Sequence, residues 1–190
     1  MPHVAHVAVR NRGTFGGSVA LADPAAEMPA CVLALAGTIV VESVTGRREI
    51  HAEDYFLGLF ETARRPDELL TEVRLPVESP SRTSVFMELS QRQGDFALAG
   101  LAACIEADGS TIVDARLVYF ASEDRPRLAQ NAMAAVRGRT WNSQSREAVQ
   151  RALADDLDPI ANLHGSAPVK LHLQRVLTSR ALDKAMEGAG

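Results

Sequence analysis

Residues 10 to 18 read Arg10-Asn11-Arg12-Gly13-Thr14-Phe15-Gly16-Gly17-Ser18, with glycines spaced G-x-x-G-G and two hydroxyl-bearing residues, Thr14 and Ser18, beside them. Closely spaced glycines reach positive φ without steric cost, so successive backbone N–H groups can turn inward and hold an anion. Thr14 and Ser18 add hydroxyl donors. Asp23-Pro24 then signals a helix start, an N-cap acceptor followed by proline at the first helical position, and helix N-termini favour negative charge. Together these residues point to a site for a phosphate or a polyol. The competing reading is a plain glycine turn between strands. The spacing is neither the G-x-G-x-x-G of dinucleotide folds nor the G-x-x-x-x-G-K-[ST] phosphate loop.

Other constellations are weaker. Asp23, Glu27, Glu53 and Asp54 lack a spaced carboxylate partner; Asp23 is most simply a helix cap, and Glu27 complements the dipole of the first turn. Ser18 with His51 and an aspartate invites a triad, but there is no G-x-S-x-G elbow. His164 and His172 flank Pro168 without an H-E-x-x-H run, which argues against a metal site. Cys31 and Cys104 sit among apolar neighbours and form no C-x-x-C pair. They read as small core hydrophobes, so the chain by itself holds no iron–sulfur cluster. In Gln93-Gly94-Asp95-Phe96-Ala97, the aromatic after a Gly-Asp turn either anchors a core or covers a flat ring. Trp141 reads as a helix-packing residue and Arg64-Arg65 as a solvated loop.

These residues belong to a chain of 190, with 46% apolar and 23% charged residues. Those fractions are ordinary for a globular protein of one domain or two small ones. Collagen-like and disulfide-scaffold classes are excluded by 13 glycines, 9 prolines and 2 cysteines. The net charge is −4, and the densest basic pairs, Arg47-Arg48 and Arg64-Arg65, lie close to acids. That leaves no basic face to replace counterions on nucleic acid. The longest charge-free apolar stretch, residues 28–41, is broken by Pro29 and Gly37 and is shorter than the roughly 20 residues of a membrane span. Residues 1–20 show no export pattern, so the expected location is cytoplasmic.

The elements that must position the glycine segment follow from pattern. Residues 4–9 alternate weakly, as in a short strand. A short turn after Asp23-Pro24 precedes a helix over about 28–36, since Pro29 makes one unbroken helix awkward and Gly37 stops it. Thr38–Ser43 is β-branched and pairs with 48–52 across a Thr45-Gly46 turn. A short helix over 53–59 and a strand over 69–75 follow. The stretch from Pro76 to Thr83 is rich in proline and serine and is the best boundary. Beyond it come strands at 85–91, 97–107 and 112–120, the last two joined by Asp108-Gly109, then helices at about 127–137, 144–156 and 167–187. The second half is therefore a three-stranded antiparallel sheet with a three-helix layer, an α+β arrangement.

Two strings, Val9-Arg10-Asn11-Arg12-Gly13-Thr14-Phe15-Gly16-Gly17-Ser18 and Ala22-Asp23-Pro24-Ala25-Ala26-Glu27-Met28-Pro29-Ala30, resemble the FAD-binding medium subunit of molybdenum hydroxylases. This is the carbon monoxide dehydrogenase and xanthine dehydrogenase type. Further matching blocks are residues 67–76, the segment Arg92-Gln93-Gly94-Asp95-Phe96-Ala97-Leu98, and His164-Gly165-Ser166-Ala167. The resemblance implies the second lobe of a two-lobed FAD-binding domain over 1–77, then a C-terminal flavoprotein domain over 84–187. It implies a role in passing electrons from [2Fe–2S] clusters through FAD to an acceptor. The expected partners are a molybdenum-binding large subunit, with its molybdopterin, and a [2Fe–2S] small subunit, in a hetero-oligomer. Carried over by position, Thr14, Gly16, Gly17 and Ser18 fall on a flavin loop near the pyrophosphate and ribityl chain. Glu27 falls on an acidic FAD contact, Leu70 on a strand contact, and Phe96 on an aromatic near the isoalloxazine ring. A lysine that relatives place near Met87 or Glu88 is not present here. The family's chain also begins with a further lobe carrying an Ala-Gly-Gly loop, and the expectation here is a truncated or split subunit, or a mis-set start codon. The alternative is a non-catalytic assembly module that docks on the partner subunits without retaining FAD. A third reading is a small-molecule binder that uses the glycine segment for another phosphate.

Overall fold

The computed structural model describes residues 4–77, 79–92 and 94–187. Gln93, within the Gly-Asp-Phe-Ala block, and Glu78, within the boundary stretch, lie outside the described residues.

The first segment is helical where a weak strand was expected. In α1 (Val7–Arg10) the His6 carbonyl accepts from the amides of Val9 and Arg10 at 3.0 and 3.1 Å. The Arg10 guanidinium reaches back to the carbonyls of Val4 and Ala5, at 2.7 and 2.6 Å, and folds the segment on itself. The glycine segment also departs from expectation. Thr14 is extended and caps α2 (Phe15–Leu21), its hydroxyl oxygen accepting from Gly17 N at 2.9 Å. Gly13, Gly16 and Gly17 all keep negative φ, so no inward-turned nest forms. The free amides of this segment belong to a helix start instead.

Asp23 does not cap a helix. Its Oδ1 accepts from Ala25 N at 2.9 Å and closes a turn. The next helix, α3 (Glu27–Ala34), starts after Ala26, which has no side-chain cap. Pro29 falls in its first turn, where a missing N–H breaks no helical bond.

β1 (Thr38–Ser43) and β2 (Gly46–His51) form the expected hairpin. The helix expected over 53–59 lasts one turn, α4 (Ala52–Tyr55). Phe56 leaves it in an extended conformation and begins β3 (Phe56–Gly58), paired with β4 (Glu61–Thr62). That path buries both Tyr55 and Phe56, whose rings meet edge to face at 5.1 Å. β5 (Leu69–Arg74) completes a three-stranded sheet in the order β2-β1-β5.

The second half is an antiparallel sheet of β6 (Arg82–Ser90), β7 (Ala97–Asp108) and β8 (Thr111–Phe120), with Gly109 at φ 56° in the turn. Two short strands are added. β9 (Arg127–Leu128) pairs with β8 and takes residues expected to begin a helix, so α5 spans only Gln130–Val136. β10 (Arg139–Thr140) pairs with the other end of β8. The sheet therefore has five strands, not three. α6 (Ser143–Asp156) opens on a reciprocal Asn142–Ser145 capping box, and α7 (Ala167–Glu187) covers the expected range.

One face of this sheet, with Val85, Leu101, Ile105, Leu117 and Tyr119, packs on α5, α6 and α7. The other face, with Ala102, Cys104, Val118 and Phe120, shares a second core with Val19 of α2, Val32 of α3, Ile39 of β1 and Ile50 of β2. The first sheet and the second are thus bound through α3 into one apolar cluster.

Candidate functional site

A cleft of about 590 Å³ lies among α1, the start of α2, the turn before α3 and the Gly94–Phe96 turn before β7. Its size falls within the roughly 300–1,000 Å³ of small-molecule and cofactor sites. Two glycines shape its frame. At Gly94, φ is 89° and a Cβ would overlap the His6 ring, so this turn seats directly on the N-terminal segment. At Gly17, a Cβ would stand 2.7 Å from Thr14 Oγ1, so glycine lets the cap of α2 close.

The cleft is lined by both hydrogen-bond donors and acids. The Phe15 amide opens α2 at the cleft without an intrahelical acceptor. Thr14 and Ser18 line it as well. Arg12 lines the cleft and is exposed, whereas Arg10 is engaged with the Val4 and Ala5 carbonyls. Asp23, Glu27 and Asp95 also line the cleft. Burial raises the Glu27 pKa above the ordinary carboxylate value, against its own helix-start amide, and the Asp23 charge adds to the rise. Glu88 on β6 is raised as well, by burial and then by the Glu27 charge. Burial pushes the Cys31 thiol up to about 11, which leaves it a poor nucleophile at neutral pH.

Of the residues expected to contact a ligand, Thr14, Gly17, Ser18, Glu27 and Phe96 line this cleft. Phe96 is 69% exposed, so it is not a core anchor; its ring is free to cover a ligand at the cleft mouth. Gly16 and Leu70 do not line the cleft. They face each other behind it, a Cβ at Gly16 standing 3.6 Å from Leu70 Cδ2. Leu70 instead packs on the core that joins the two sheets. His51 ends β2 outside the lining, so Ser18 gains no triad there. Among the described residues no group of three or more His, Cys, Asp or Glu is arranged to hold a metal ion. Sequence reasoning missed Val9, Leu21 and Met28, which form the apolar wall, and Arg12 as its exposed cation. A helix of four residues carries no readable periodicity, and the wall at Val9 depends on one.

Residues 1–78 match the family model described as the FAD binding domain in molybdopterin dehydrogenase, and residues 84–185 match the CO dehydrogenase flavoprotein C-terminal domain. The chain is 36% identical over 183 residues to the nicotine 6-hydroxylase medium subunit of Paenarthrobacter nicotinovorans, covering 96% of this chain and 64% of that protein. Among solved structures, carbon monoxide dehydrogenase from Hydrogenophaga pseudoflava superposes with a TM-score of 0.93 at 30% identity, over 97% of this chain and 64% of the other. Quinoline 2-oxidoreductase from Pseudomonas putida 86 superposes with a TM-score of 0.90 at 36% identity, over 98% and 65%. The chain thus spans just under two thirds of the length of these relatives. With both family models in order along it and the fold matched across nearly all its residues, the chain belongs to the FAD-binding medium subunits of molybdenum hydroxylases, the carbon monoxide dehydrogenase and xanthine dehydrogenase type.

Proposed function

We propose that the chain supplies one side of an FAD site in a molybdenum hydroxylase and helps pass electrons from [2Fe–2S] clusters, through FAD, to an acceptor. The observation that carries this reading is the convergence of Thr14, Gly17, Ser18 and Glu27 with Phe96, distant in sequence, on one cleft. The division at 1–77 and 84–187 and assembly with molybdenum-binding and [2Fe–2S] subunits belong to the same proposal. A cytoplasmic setting fits Cys31 and Cys104, neither of which forms a disulfide.

The residues present suit the cofactor. Glycine at position 17 leaves room against the Thr14 cap, and the cleft has an open amide, hydroxyls and an apolar wall. When bound, FAD supplies the redox chemistry, since its ring exchanges electrons singly or in pairs. This chain's own work is to bind and orient. Thr14, Ser18 and the Phe15 amide would hold the cofactor's phosphate and polyol groups as donors, and Arg12 would add a cation. Val9, Leu21 and Met28 exclude water. Phe96, exposed at the cleft, would cover a flat ring there. Gly16 and Leu70 hold α2 against β5 from behind.

The test is titration of the full chain with FAD, followed by flavin fluorescence and visible absorbance. A saturable 1:1 complex that alanine at Thr14 or Phe96 weakens supports the reading. No flavin binding, with or without the partner subunits, refutes it; partner binding without flavin would instead indicate an assembly module.

A further inference from the structure

We propose that Arg116 is the positioning residue through which the second sheet fixes α3, and with it the acidic wall of the cleft. Arg116 lies on β8, on the sheet face that meets α3, and its side chain is 17% exposed. Nε donates to the Ala34 carbonyl at 3.1 Å and Nη2 to the Leu33 carbonyl at 3.0 Å. These are carbonyls of the last turn of α3, where a cation also complements the helix dipole. Nη2 further meets Glu53 Oε1 of α4 at 2.8 Å, so one guanidinium joins three elements.

The front end of α3 is held from the same strand's end. Ala121 N, just past β8, donates to the Pro24 carbonyl at 2.8 Å. Pro24 begins the turn that runs from Asp23 to Glu27, and both of those acids line the cleft. The five-residue step from Arg116 to Ala121 spans about 16 Å of extended chain. The eight residues of α3 rise about 12 Å, which leaves room for the leading turn. β8 therefore straps α3 at both ends, with Arg116 gripping the end remote from the ligand. The planar fork of arginine reaches two carbonyls and a carboxylate at once; a lysine ammonium, on a flexible stem, does not reproduce that grip.

The effect on ligand rests on the cleft being the FAD site, and the experiment separates the two claims. Arg116→Ala, Arg116→Lys and a control, Tyr119→Phe, are made in the full chain. Tyr119 lies on the same strand but the opposite sheet face, and the control removes its 2.7 Å hydrogen bond to Thr178 Oγ1. Amide hydrogen exchange is followed across 24–36, and FAD affinity by flavin fluorescence. Expected are faster exchange in α3 and a roughly tenfold weaker Kd for Arg116→Ala, an intermediate result for Arg116→Lys, and neither change for Tyr119→Phe. If Arg116→Ala does not fold, Arg116→Lys carries the comparison. Unchanged α3 exchange, or the same change in the control, overturns the proposal. So does unchanged FAD affinity in a chain whose α3 has loosened. If the unsubstituted chain binds no FAD, the cleft reading falls, while the exchange arm still decides whether Arg116 holds α3.

Discussion

Replacing Gly17 by alanine separates ligand contact from fold stability. The new Cβ would stand 2.7 Å from Thr14 Oγ1, closer than such atoms approach, so the hydroxyl must swing away. The 2.9 Å cap bond from Gly17 N goes with it. Losing such a cap costs about 1 kcal/mol. Alanine for glycine in a helix recovers about 1 kcal/mol, and Gly17 has no positive φ to forbid it. The two effects nearly cancel, so Tm should move by less than about 3 °C. FAD affinity has no such compensation. A hydroxyl is displaced from the wall and a methyl group enters, which should weaken binding roughly tenfold. Two companions bracket the result. Thr14→Ala loses the same cap without the helical gain and should lower Tm by about 3 °C. Gly16→Ala gains an ordinary contact with Leu70 behind the cleft and should keep FAD while stabilising the chain by about 0.5 kcal/mol. Thermal scans of the ligand-free chain and fluorescence titration with FAD measure both quantities. A Gly17→Ala chain that binds FAD like the parent and melts well above it would refute the reasoning.

Other substitutions test the frame. Glu68 is buried, takes two bonds from Arg48 at 2.6 and 2.7 Å and one from Arg65 N at 2.6 Å, and its pKa falls from 4.5 to about 2, chiefly through Arg48. Its stabilising effect is therefore complete above about pH 4.5 and is lost as pH falls toward 2. Glu68→Gln should lower Tm at pH 7 and flatten the acid limb of a Tm–pH curve; an acid limb as steep as the parent's would count against this. Lys170 is buried and burial lowers its pKa, so its charge opposes folding at neutral pH, and that penalty fades as pH rises through the lowered pKa toward 10.5. Lys170→Met should raise Tm at pH 7 and remove the alkaline gain, and a lower Tm would contradict it. Phe60 is 54% exposed at φ 55°, so Phe60→Gly should relieve about 1 kcal/mol of backbone strain and raise the urea midpoint. No rise would mean the loop was not strained.

The parts of the fold legible in the sequence are those whose pattern is long enough to declare itself. β1, β5, β7, β8, α6 and α7 lie close to their expected ranges, because each carries several turns or pairs of apolar periodicity. The elements missed are short ones that exist through a partner. β9 forms because Tyr119 and Val118 pair with Arg127 and Leu128, and β10 because Ile112 and Thr111 pair with Arg139 and Thr140. Neither pairing leaves a local trace. The glycine segment announced donors but not their geometry, since G-x-x-G-G suits a nest and a helix start equally. Thr14 was the discriminating residue, as an N-cap three positions before Gly17. Gly16 and Leu70 are beside the ligand wall in sequence terms, yet the rotation of α2 against β5 turns them toward each other.

A net charge of −4 by itself opposes the holding of an anionic diphosphate, but distance matters more than the total. At physiological ionic strength, charges beyond about 8 Å are largely screened. Several acids are also already paired: Glu72 with Arg47 and Glu49 with Arg74, both at 2.6 Å on the first sheet. Affinity must therefore be decided by groups lining the cleft. There Arg12 and the Phe15 amide stand with Asp23, Glu27 and Asp95, and burial raises the Glu27 pKa above the ordinary carboxylate value. Such short-range balance depends steeply on position, because hydrogen bonds weaken steeply with misalignment. The donors sit on α2 and an acid on α3, so the spacing of those two helices sets the balance. That spacing is held by the core both sheets share and by the two straps from β8. On the proposed reading the C-terminal half acts on ligand affinity both through that spacing and directly, since its Asp95 and Phe96 line the cleft.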